Sequence, residues 1–297
     1  MTTDLPQTVL QYLQYATRLF KEKQIPEPRL ESELLLAHAL KCDRVGLYVR
    51  YDQPLTVEER TRFGDLLRQR GRRVPVQYIL GYRDFWTFRL AVEPGVLIPR
   101  PDTECLVEEV LALYRGRGTS PRLIADVGTG SGCLAIALAL EFPDAIVYAG
   151  DIADVPLRVA LENVTANGVA DRVFVERADG LNGLRAKAPA AFDLVVSNPP
   201  YITTGAYAGL QHEVREHEPV VALVSGIDGL DMIRTLTADA TRPDVMTAGG
   251  SLFIEIGDAP QVAPVRALLK DAAFASTHVR NDYAQLPRVV YGLDLRG

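Results

Sequence analysis

The stretch Phe192-Asp193-Leu194-Val195-Val196-Ser197-Asn198-Pro199-Pro200-Tyr201 decides how the rest of the chain is interpreted. Its first half is a short apolar run, which is typical of a buried parallel strand. Its second half is a rigid polar turn, because Pro199 holds Asn198 extended and both prolines fix φ. Open α/β sheets bind ligands at the carboxyl ends of their strands. We therefore expect this turn to form part of a ligand site.

The groups exposed by the turn suit a small planar molecule that carries an NH2 group. The prolines lack an N–H, so the carbonyls at the start of the turn meet little competition from backbone donors. Asn198 adds an amide oxygen and an amide NH2, and Tyr201 adds a flat aromatic wall. An amide or an exocyclic base amine would fit. The alternative is a purely structural turn, since Asn-Pro is a common turn opener.

From Leu123 onward strands and helices alternate, which predicts a doubly wound α/β domain. The apolar runs predict strands at 123–127, 146–151, 173–175, 192–197, 251–256, 275–279 and 288–293. The helical periodicity predicts helices that begin at Cys133 and that span 157–167, 229–240 and 262–269.

A glycine loop, Gly128-Thr129-Gly130-Ser131-Gly132, follows the first of these strands. Its spacing differs from the dinucleotide fingerprint G-x-G-x-x-G. Asp151 ends the next strand, where a carboxylate can accept both hydroxyls of a ribose. Asp179 follows the third strand and is either an adenine contact or a turn residue. Because the Asn198 turn requires no phosphate, the pattern favours S-adenosylmethionine over NAD, with the loop facing the methionine part. A plain strand–helix turn is the structural alternative for the loop.

The first quarter of the chain has a different pattern. Helical spacing of apolar residues from Leu5 to Arg73 predicts a small helical bundle, with Pro28 near one helix start and a capping box at Thr56 and Glu59. Four arginines at its end are either a solvated helix terminus or a partner site: Arg68, Arg70, Arg72 and Arg73.

Residues 74–100 predict a β-hairpin linker, with alternation from Tyr82 to Val92 and a turn at Glu93-Pro94-Gly95. Asp102 or Thr103 is expected to cap the helix that follows. The predicted domains are therefore residues 1–73, 74–100 and 101–297.

Composition excludes several classes of function. With 297 residues, 47% of them hydrophobic, and a net charge of −6, the chain has no global footprint for nucleic acid. Its apolar stretches are too short for a membrane span. Met1-Thr2-Thr3-Asp4 lacks the regions of a signal peptide, and three scattered cysteines favour the cytoplasm. His212 and His217 are five residues apart, not the four of a zinc helix motif, so no metal is expected.

Together these features resemble the bacterial release-factor glutamine methyltransferases, the HemK/PrmC family of class I methyltransferases. The resemblance covers nearly the whole chain and is carried by the glycine loop, Asp151 and the Asn198 turn. It is also carried by the segments 77–81, 85–88, 97–104, 213–215, 218–219 and 228–230, and by Gly226. It implies an N-terminal helical domain, a hairpin linker and a Rossmann-like domain that binds S-adenosylmethionine.

The resemblance also implies the reaction and its residues. The substrate would be the glutamine of the Gly-Gly-Gln motif in class 1 peptide chain release factors, and the products N5-methylglutamine and S-adenosylhomocysteine. Cofactor contacts carry over to Gly128 through Gly132, Asp151 and Asn198, beside Asp179 and Gly180. Substrate contacts carry over to Asn198, Pro199, Pro200 and Tyr201, of which Asn198, Pro199 and Tyr201 would be catalytic. Gly180 departs from the family pattern, where an aromatic can occur, and 282–287 lacks an expected glycine.

Three alternatives stay open at this point. A related enzyme methylates a ribosomal-protein glutamine, although the Arg100-Pro101-Asp102-Thr103-Glu104 segment argues against it. An N6-adenine or exocyclic-guanine methyltransferase of DNA or RNA shares the turn but needs a groove rich in Lys and Arg. A helical adaptor whose second domain merely binds cofactor would not need the Asn198 turn. We expect a monomer that acts in the cytoplasm and binds neither membranes nor nucleic acid.

Overall fold

The computed structural model describes residues 7–242 and 244–296; Met1–Asp4 and Leu5, where the predicted helical region begins, lie outside them. The helices are α1 (Val9–Glu22), α2 (Pro28–Leu40), α3 (Arg44–Val49), α4 (Val57–Gly71), α5 (Val76–Leu80), α6 (Glu104–Arg117), α7 (Cys133–Glu141), α8 (Asp154–Ala166), α9 (Gly180–Arg185), α10 (His212–His217), α11 (Asp231–Ala240) and α12 (Val262–Asp271). The strands are β1 (Tyr82–Phe85), β2 (Phe88–Ala91), β3 (Leu123–Val127), β4 (Ile146–Asp151), β5 (Val173–Arg177), β6 (Phe192–Ser197), β7 (Met246–Glu255), β8 (Phe274–Asn281) and β9 (Pro287–Leu295).

The chain forms two compact units. The helical unit contains the described residues up to Gly81 together with α10, whose sequence lies much later in the chain. The α/β unit contains Tyr82–Gln211 and the described residues from Glu218 onward. Across the described parts of both units, we find no helix with the length and apolar character that a membrane crossing requires.

The helical unit has its own apolar core, to which α1, α2 and α4 contribute buried side chains such as Phe20, Leu35 and Phe63. The predicted capping box is confirmed: the Glu59 amide donates to Thr56 Oγ1 at 3.2 Å, and the Thr56 amide donates to Glu59 at 2.8 Å. Pro28 occupies the first turn of α2, as predicted. These start signals depend on neighbouring residues alone, which is why the sequence reveals them.

The region between the helical unit and the sheet differs from the prediction in two places. Residues 76–80 form the short helix α5, which ends at Gly81 with φ of 81°, and they belong to the helical unit. The predicted turn at residues 93–95 is present, where the Val96 amide donates to the Glu93 carbonyl at 3.1 Å, but the turn that joins β1 to β2 lies at Trp86-Thr87. Trp86 adopts a φ of 53°, and its amide donates to Glu104 at 2.9 Å. This contact with α6 explains why the alternating pattern is broken where the sequence shows no glycine.

The α/β unit is built on a seven-stranded sheet in the order β5-β4-β3-β6-β7-β9-β8. Neighbours from β5 to β7 pair in parallel, and β9 is antiparallel to both β7 and β8. The predicted fold class is confirmed. The prediction is accurate for β3, β4 and β6, because these strands are buried apolar runs.

The order of the strands reverses beside β3, whose two neighbours are β4 and β6. In open parallel sheets such a switch point leaves a crevice at the carboxyl ends of the strands. The glycine loop follows β3, Asp151 ends β4, Asp179 follows β5 and Asn198 follows β6. The topology therefore brings together residues that lie up to 70 positions apart in sequence.

Candidate active site

A cavity of about 420 Å³ lies at the carboxyl ends of these strands. That volume lies in the range of small-molecule sites. Its lining contains many of the predicted residues, namely Gly128, Thr129, Gly130, Ser131, Asp151, Asp179, Gly180, Asn198 and Pro200. Every lining residue belongs to the α/β unit.

Hydrogen bonds to Asp126 hold the glycine loop in place, and the sequence alone did not identify this residue. Its Oδ2 accepts hydrogen bonds from the Thr129 hydroxyl at 2.6 Å and from the Ala135 amide at 3.2 Å. Asp126 is fully buried, and burial raises its pKa to about 7 against the effect of these two donors. An acid inside an otherwise apolar strand, immediately before a glycine loop, is the signal that could have identified it.

The loop residues fit a nucleoside cofactor such as S-adenosylmethionine. Gly128 and Gly130 have φ of 74° and 56°, and a Cβ on either would meet nothing within 4 Å, so the backbone is open to a ligand. The Ser131 hydroxyl lines the cavity and is buried without a hydrogen-bond partner. Asp151 accepts from the Gly130 amide at 3.1 Å and from the Ala153 amide at 3.0 Å. An ionised carboxylate has lone pairs left for the two hydroxyls of a ribose.

Asp179 and Gly180 lie beside the cavity at the start of α9. The Asp179 side chain is exposed and makes no capping hydrogen bond to that helix. Gly180 has a φ of 65°, and a Cβ there would lie 3.2 Å from Asp239 Oδ2. This backbone conformation favours glycine over any residue with a side chain at position 180.

The Asn198 turn has two faces. Asn198 and Pro200 line the cavity, and the Asn198 NH2 group donates to Thr103 Oγ1 at 3.1 Å. Pro199 is buried. Tyr201 does not line the cavity: its hydroxyl points to Glu255 Oε1 at 3.5 Å, and its carbonyl accepts from Gln261 at 2.9 Å.

Thr103 does not cap α6 with its side chain, contrary to the sequence expectation. Residues 101–103 form a short 3-10 turn, and Asp102 makes no capping bond either. Asp102 instead lies 3.5 Å from Arg288. The Thr103 hydroxyl instead accepts the hydrogen bond from Asn198, which lies 95 residues away in sequence, so a local rule could not predict this partner.

Glu255 is a second buried carboxyl that the sequence analysis missed. It is the last residue of β7 and is 1% exposed. Burial raises its pKa to about 7, while the Thr103 hydroxyl, Arg288 and Tyr201 act in the opposite direction. Its Oε2 atom has no hydrogen-bond partner. The sequence signal would have been a single acid that ends an apolar strand.

Two further contacts fix the segments around the turn. The buried Glu218 accepts from Arg100 at 2.6 Å and from the Ile98 amide at 3.2 Å, which anchors the segment that contains Thr103. A Cβ on Gly229 would lie 2.2 Å from the Tyr201 carbonyl oxygen, so only glycine fits there. The turn is therefore held by neighbours on several elements.

Metal ligation has no support in the described ranges 7–242 and 244–296, where no cluster of three or more His, Cys, Asp or Glu side chains could hold an ion. His212 and His217 are the two ends of α10.

Comparison with known families and proteins gives a consistent result. Residues 11–81 match the PrmC N-terminal domain, and residues 103–215 match the methyltransferase small domain. The chain is 38% identical over 294 residues to a release factor glutamine methyltransferase of Rhodopirellula baltica, with 97% of each chain covered. It is 41% identical to the enzyme of that name from Chlorobaculum tepidum, with 95% of each covered. It is 42% identical to that of Xylella fastidiosa Temecula1, with 89% of this chain and 92% of the relative covered.

Solved structures share the fold. The catalytic domain of human METTL16 in complex with a MAT2A 3'UTR hairpin superposes with a TM-score of 0.54 and 15% identity, covering 69% of this chain and 75% of that one. The N-terminal domain of human METTL16 in complex with SAH gives a TM-score of 0.50 at 17% identity, with 69% and 75% covered. At this identity the likeness concerns the fold alone.

Proposed function

The chain belongs to the family of release factor glutamine methyltransferases, and we propose on that premise that it methylates a glutamine side chain of a peptide chain release factor. The methyl donor is S-adenosylmethionine, and the acceptor is the amide nitrogen, N5. The observation that carries the proposal is the cavity that joins the glycine loop and Asp151 to Asn198 and Pro200. Donor and acceptor sites therefore share one chamber.

The glycine loop and Asp151 hold the donor in this proposal. When bound, S-adenosylmethionine supplies a methyl group already activated by the sulfonium charge. Gly128 and Gly130 leave room for its methionine part, and Asp151 accepts the ribose hydroxyls. Asp179 and the backbone at Gly180 lie where the adenine would be received.

The Asn198 turn orients the acceptor. A glutamine amide nitrogen is a weak nucleophile because its lone pair is delocalised into the carbonyl, so the protein contributes by positioning and electrostatics. Asn198 Oδ1 and the Pro199 carbonyl accept hydrogen bonds from the two N–H groups of the substrate amide, which directs its nitrogen towards the methyl carbon. The new C–N bond forms as the C–S bond breaks, and sulfur keeps the electron pair. The methylated nitrogen then loses a proton to solvent.

We assign recognition of the release factor to the N-terminal region, predicted as residues 1–73. All cavity-lining residues lie in the α/β unit, which leaves the helical unit without a role in the chemistry. The predicted arginine cluster must be corrected for one member. Arg70 is 2% exposed and pairs with Glu31 and Glu213, so it is not a surface contact.

We assign the glutamine to the Gly-Gly-Gln motif of class 1 release factors, with the enzyme acting as a cytoplasmic monomer. A net charge of −6 favours this assignment over DNA or RNA methylation, which would require a basic groove.

Mass spectrometry of a class 1 release factor tests this assignment. After incubation with the protein and isotope-labelled S-adenosylmethionine, the glutamine of the Gly-Gly-Gln peptide should gain one methyl group. A release factor with that glutamine replaced by alanine is the control. Label on a ribosomal protein or an oligonucleotide, with none on the release factor, would overturn the assignment.

A further inference from the structure

A second cavity, of about 320 Å³, lies in the helical unit, where α1 and the first turn of α2 form its walls. Three cations line this cationic cavity, Arg18, Lys21 and Arg29, together with the apolar residues Leu10 and Leu13. Of the described residues that line it, none is an Asp or a Glu. It shares no residue with the cavity of the α/β unit. The positive charge is therefore concentrated at a site separate from the proposed chemistry.

The two cations on α1 have no partner that would explain their position. Arg18 and Lys21 are exposed and lie three residues apart, so their like charges repel each other on one side of the helix. Across residues 7–242 and 244–296, neither side chain makes a hydrogen bond or an ion pair. Lys21 lies in the last turn of α1, where the helix dipole favours a cation, but Arg18 does not. The stability of the helix alone does not account for this pair.

The third cation, Arg29, is held in place by a buried carboxylate. It lies in the first turn of α2, where the helix dipole disfavours a cation. Glu33 is 1% exposed, and it accepts from Arg29 Nε at 2.9 Å and from Arg44 Nε at 3.0 Å. Burial alone would raise the pKa of Glu33, but hydrogen bonds from Arg44, Arg29 and Tyr48 outweigh it and the pKa is lowered. The Arg29 side chain is still 65% exposed, so its remaining N–H groups are open to a second carboxylate.

The same carboxylate holds an aromatic side chain at the surface. The Tyr48 hydroxyl donates to Glu33 Oε1 at 3.0 Å and lies 3.5 Å from Arg29 Nη2. Tyr48 is nonetheless exposed, and so are Val45 and Val49 on the same helix, α3. Surfaces that bind other proteins are enriched in aromatic and arginine side chains, and fixing these side chains in advance lowers the entropy cost of binding.

The charge distribution indicates what kind of partner this surface fits. In residues 7–81 and 212–217, Lys and Arg outnumber Asp and Glu, whereas in the rest of the described chain Asp and Glu outnumber Lys and Arg. An acidic surface is therefore attracted to the helical unit in particular. The net charge of −6 opposes a polyanion such as RNA, and exposed valines suit a protein.

We propose that the cationic cavity and the neighbouring face of α3 bind an acidic segment of the release factor, in which an apolar residue accompanies the carboxylates. This inference rests on the proposed function, which makes the release factor the substrate. The carboxylates pair with Arg18, Lys21 and Arg29, and the apolar residue packs on Tyr48 and the valines of α3. Since none of these residues lines the cavity of the α/β unit, the contact contributes to binding of the release factor and not to the chemical step.

Reversal of two charges tests the cationic cavity. In the double variant Arg18→Glu/Lys21→Glu we expect the KM for the intact release factor to rise about tenfold or more, because like charges would then face each other. The kcat at saturating release factor, and the calorimetric affinity for S-adenosylmethionine, should stay within about twofold of the wild-type values. Lys41→Glu/Arg60→Glu is the matched control, since both cations are exposed, belong to the helical unit and do not line the cavity.

Val49→Ser tests the apolar face of α3. It removes apolar surface that the proposal places against the partner, so we expect the KM for the release factor to rise about three- to tenfold with kcat unchanged. Val57→Ser is the matched control, because Val57 is an equally exposed type of side chain at the start of α4. Equal KM values for the two variants would remove α3 from the docking site.

The outcomes separate the docking site from the proposed function. An unchanged KM in Arg18→Glu/Lys21→Glu, or a rise no larger than that of its control, would overturn the docking site. So would a labelled RNA oligonucleotide that binds the wild type and not the double variant while the KM for the release factor stays unchanged. If the double variant does not fold, Arg18→Gln/Lys21→Gln, which only removes the charges, takes its place. A wild-type protein that leaves the release factor unmethylated would instead overturn the proposed function.

Discussion

Two buried carboxyls, those of Asp126 and Glu255, give single residues an unusual influence on this protein. Each has a pKa raised to about 7 by burial, well above the ordinary value of a carboxyl. A carboxyl of this kind favours the folded state at low pH. That contribution is fully present below the pKa of the unfolded chain and is lost as the pH rises through about 7.

Replacing Asp126 with asparagine should remove one of these pH-dependent contributions. Between the pKa of Asp126 in the unfolded chain and about pH 7, the contribution of the wild-type Asp126 carboxyl to the free energy of unfolding falls by about 1.4 kcal/mol for each pH unit. We expect the free energy of unfolding of Asp126→Asn, relative to that of the wild type, to rise by about 2–3 kcal/mol from pH 5 to pH 8. Urea denaturation at several pH values measures it. Asp171→Asn, at a mostly exposed side chain, is the control, and parallel curves for Asp126→Asn and the wild type would refute the assignment.

Asn198→Ala tests the proposed catalytic role most directly. It removes the acceptor that orients the substrate amide, and loss of one such preorganised group costs on the order of 10²–10³ in kcat. Affinity for S-adenosylmethionine should fall much less, because the glycine loop and Asp151 remain. Single-turnover methylation, run beside calorimetric titrations, separates the two quantities. Asn167→Ala is the control, since Asn167 bonds to the Arg89 and Asn163 carbonyls and does not line the cavity.

For single residues, the sequence predicts those at the end of a recognisable strand but not the buried residues that contact them from other parts of the chain. The glycine loop, Asp151 and Asn198 are visible because each lies at the carboxyl end of a strand with a clear apolar run. Thr103 and Glu255 are not visible, because their importance depends on contacts across 95 and 54 residues of chain. No local pattern encodes such a meeting.

Among the elements, the turn after β6 is clamped by loops from later in the chain. Gln261 donates to the Tyr201 carbonyl at 2.9 Å and accepts from the Gly257 amide at 2.8 Å. Gly229, with a φ of 77°, passes so close to Tyr201 that a Cβ would also lie 2.7 Å from Gln261 Nε2. The rigidity of the turn is therefore supplied from outside as well as by its prolines.

Gly229→Ala should disturb both stability and catalysis. The added methyl group cannot fit against backbone, and the positive φ adds strain, so we expect a loss of about 2–4 kcal/mol in unfolding free energy. The kcat of methylation should fall at least tenfold as Tyr201 is displaced. Thermal and urea unfolding measure the first effect, and release-factor methylation the second. Gly205→Ala is the control: this glycine, in the segment that follows the Asn198 turn, is exposed, and a Cβ there would meet nothing within 4 Å.

The element boundaries show where sequence patterns are sufficient. Strand bounds follow from burial on both faces, and the start of α4 follows from its capping box. The helix α5 and the turn at Trp86 escaped prediction because each depends on tertiary contacts, such as that of the Trp86 amide with Glu104. Gln285, with a φ of 63°, lies between β8 and β9 where a glycine was expected. The turn is closed there by hydrogen bonds between Asp282 and Leu286.

On the scale of the whole molecule, the helical unit is built from two separate parts of the sequence, the described residues up to Gly81 and α10. The sequence on both sides of it belongs to the α/β unit, while α10 itself packs in the helical unit. Glu213 of α10 accepts from Arg70 and from Arg73, each at 2.9 Å. Burial alone would raise the pKa of Glu213, but the hydrogen bonds outweigh it and the pKa is lowered. These ion pairs therefore stabilise the packing of α10 within the helical unit at neutral pH.

Glu213→Ala should weaken the packing of α10 within the helical unit. Removing one partner of a buried ion pair typically costs about 3–5 kcal/mol, but Arg70 keeps Glu31, so we expect about 1–3 kcal/mol in unfolding free energy. Methylation of an intact release factor should weaken, while affinity for S-adenosylmethionine stays unchanged. Glu216→Ala is the matched control on the same helix, where the side chain is exposed and pairs with His212. Equal losses in both variants would show that the buried pair has no special role.

The position of Glu213 in the chain also bears on how the protein is made. Arg70 leaves the ribosome 143 residues before Glu213, which at about 5–20 residues per second is an interval of roughly 7–30 s. Throughout that interval Glu213, one of the two acidic partners of Arg70, has not yet been synthesised. The unit gains its last helix only after the Asn198 turn has been synthesised. The helical unit is thus completed late, although still before strands β7, β8 and β9 of the α/β unit have been synthesised.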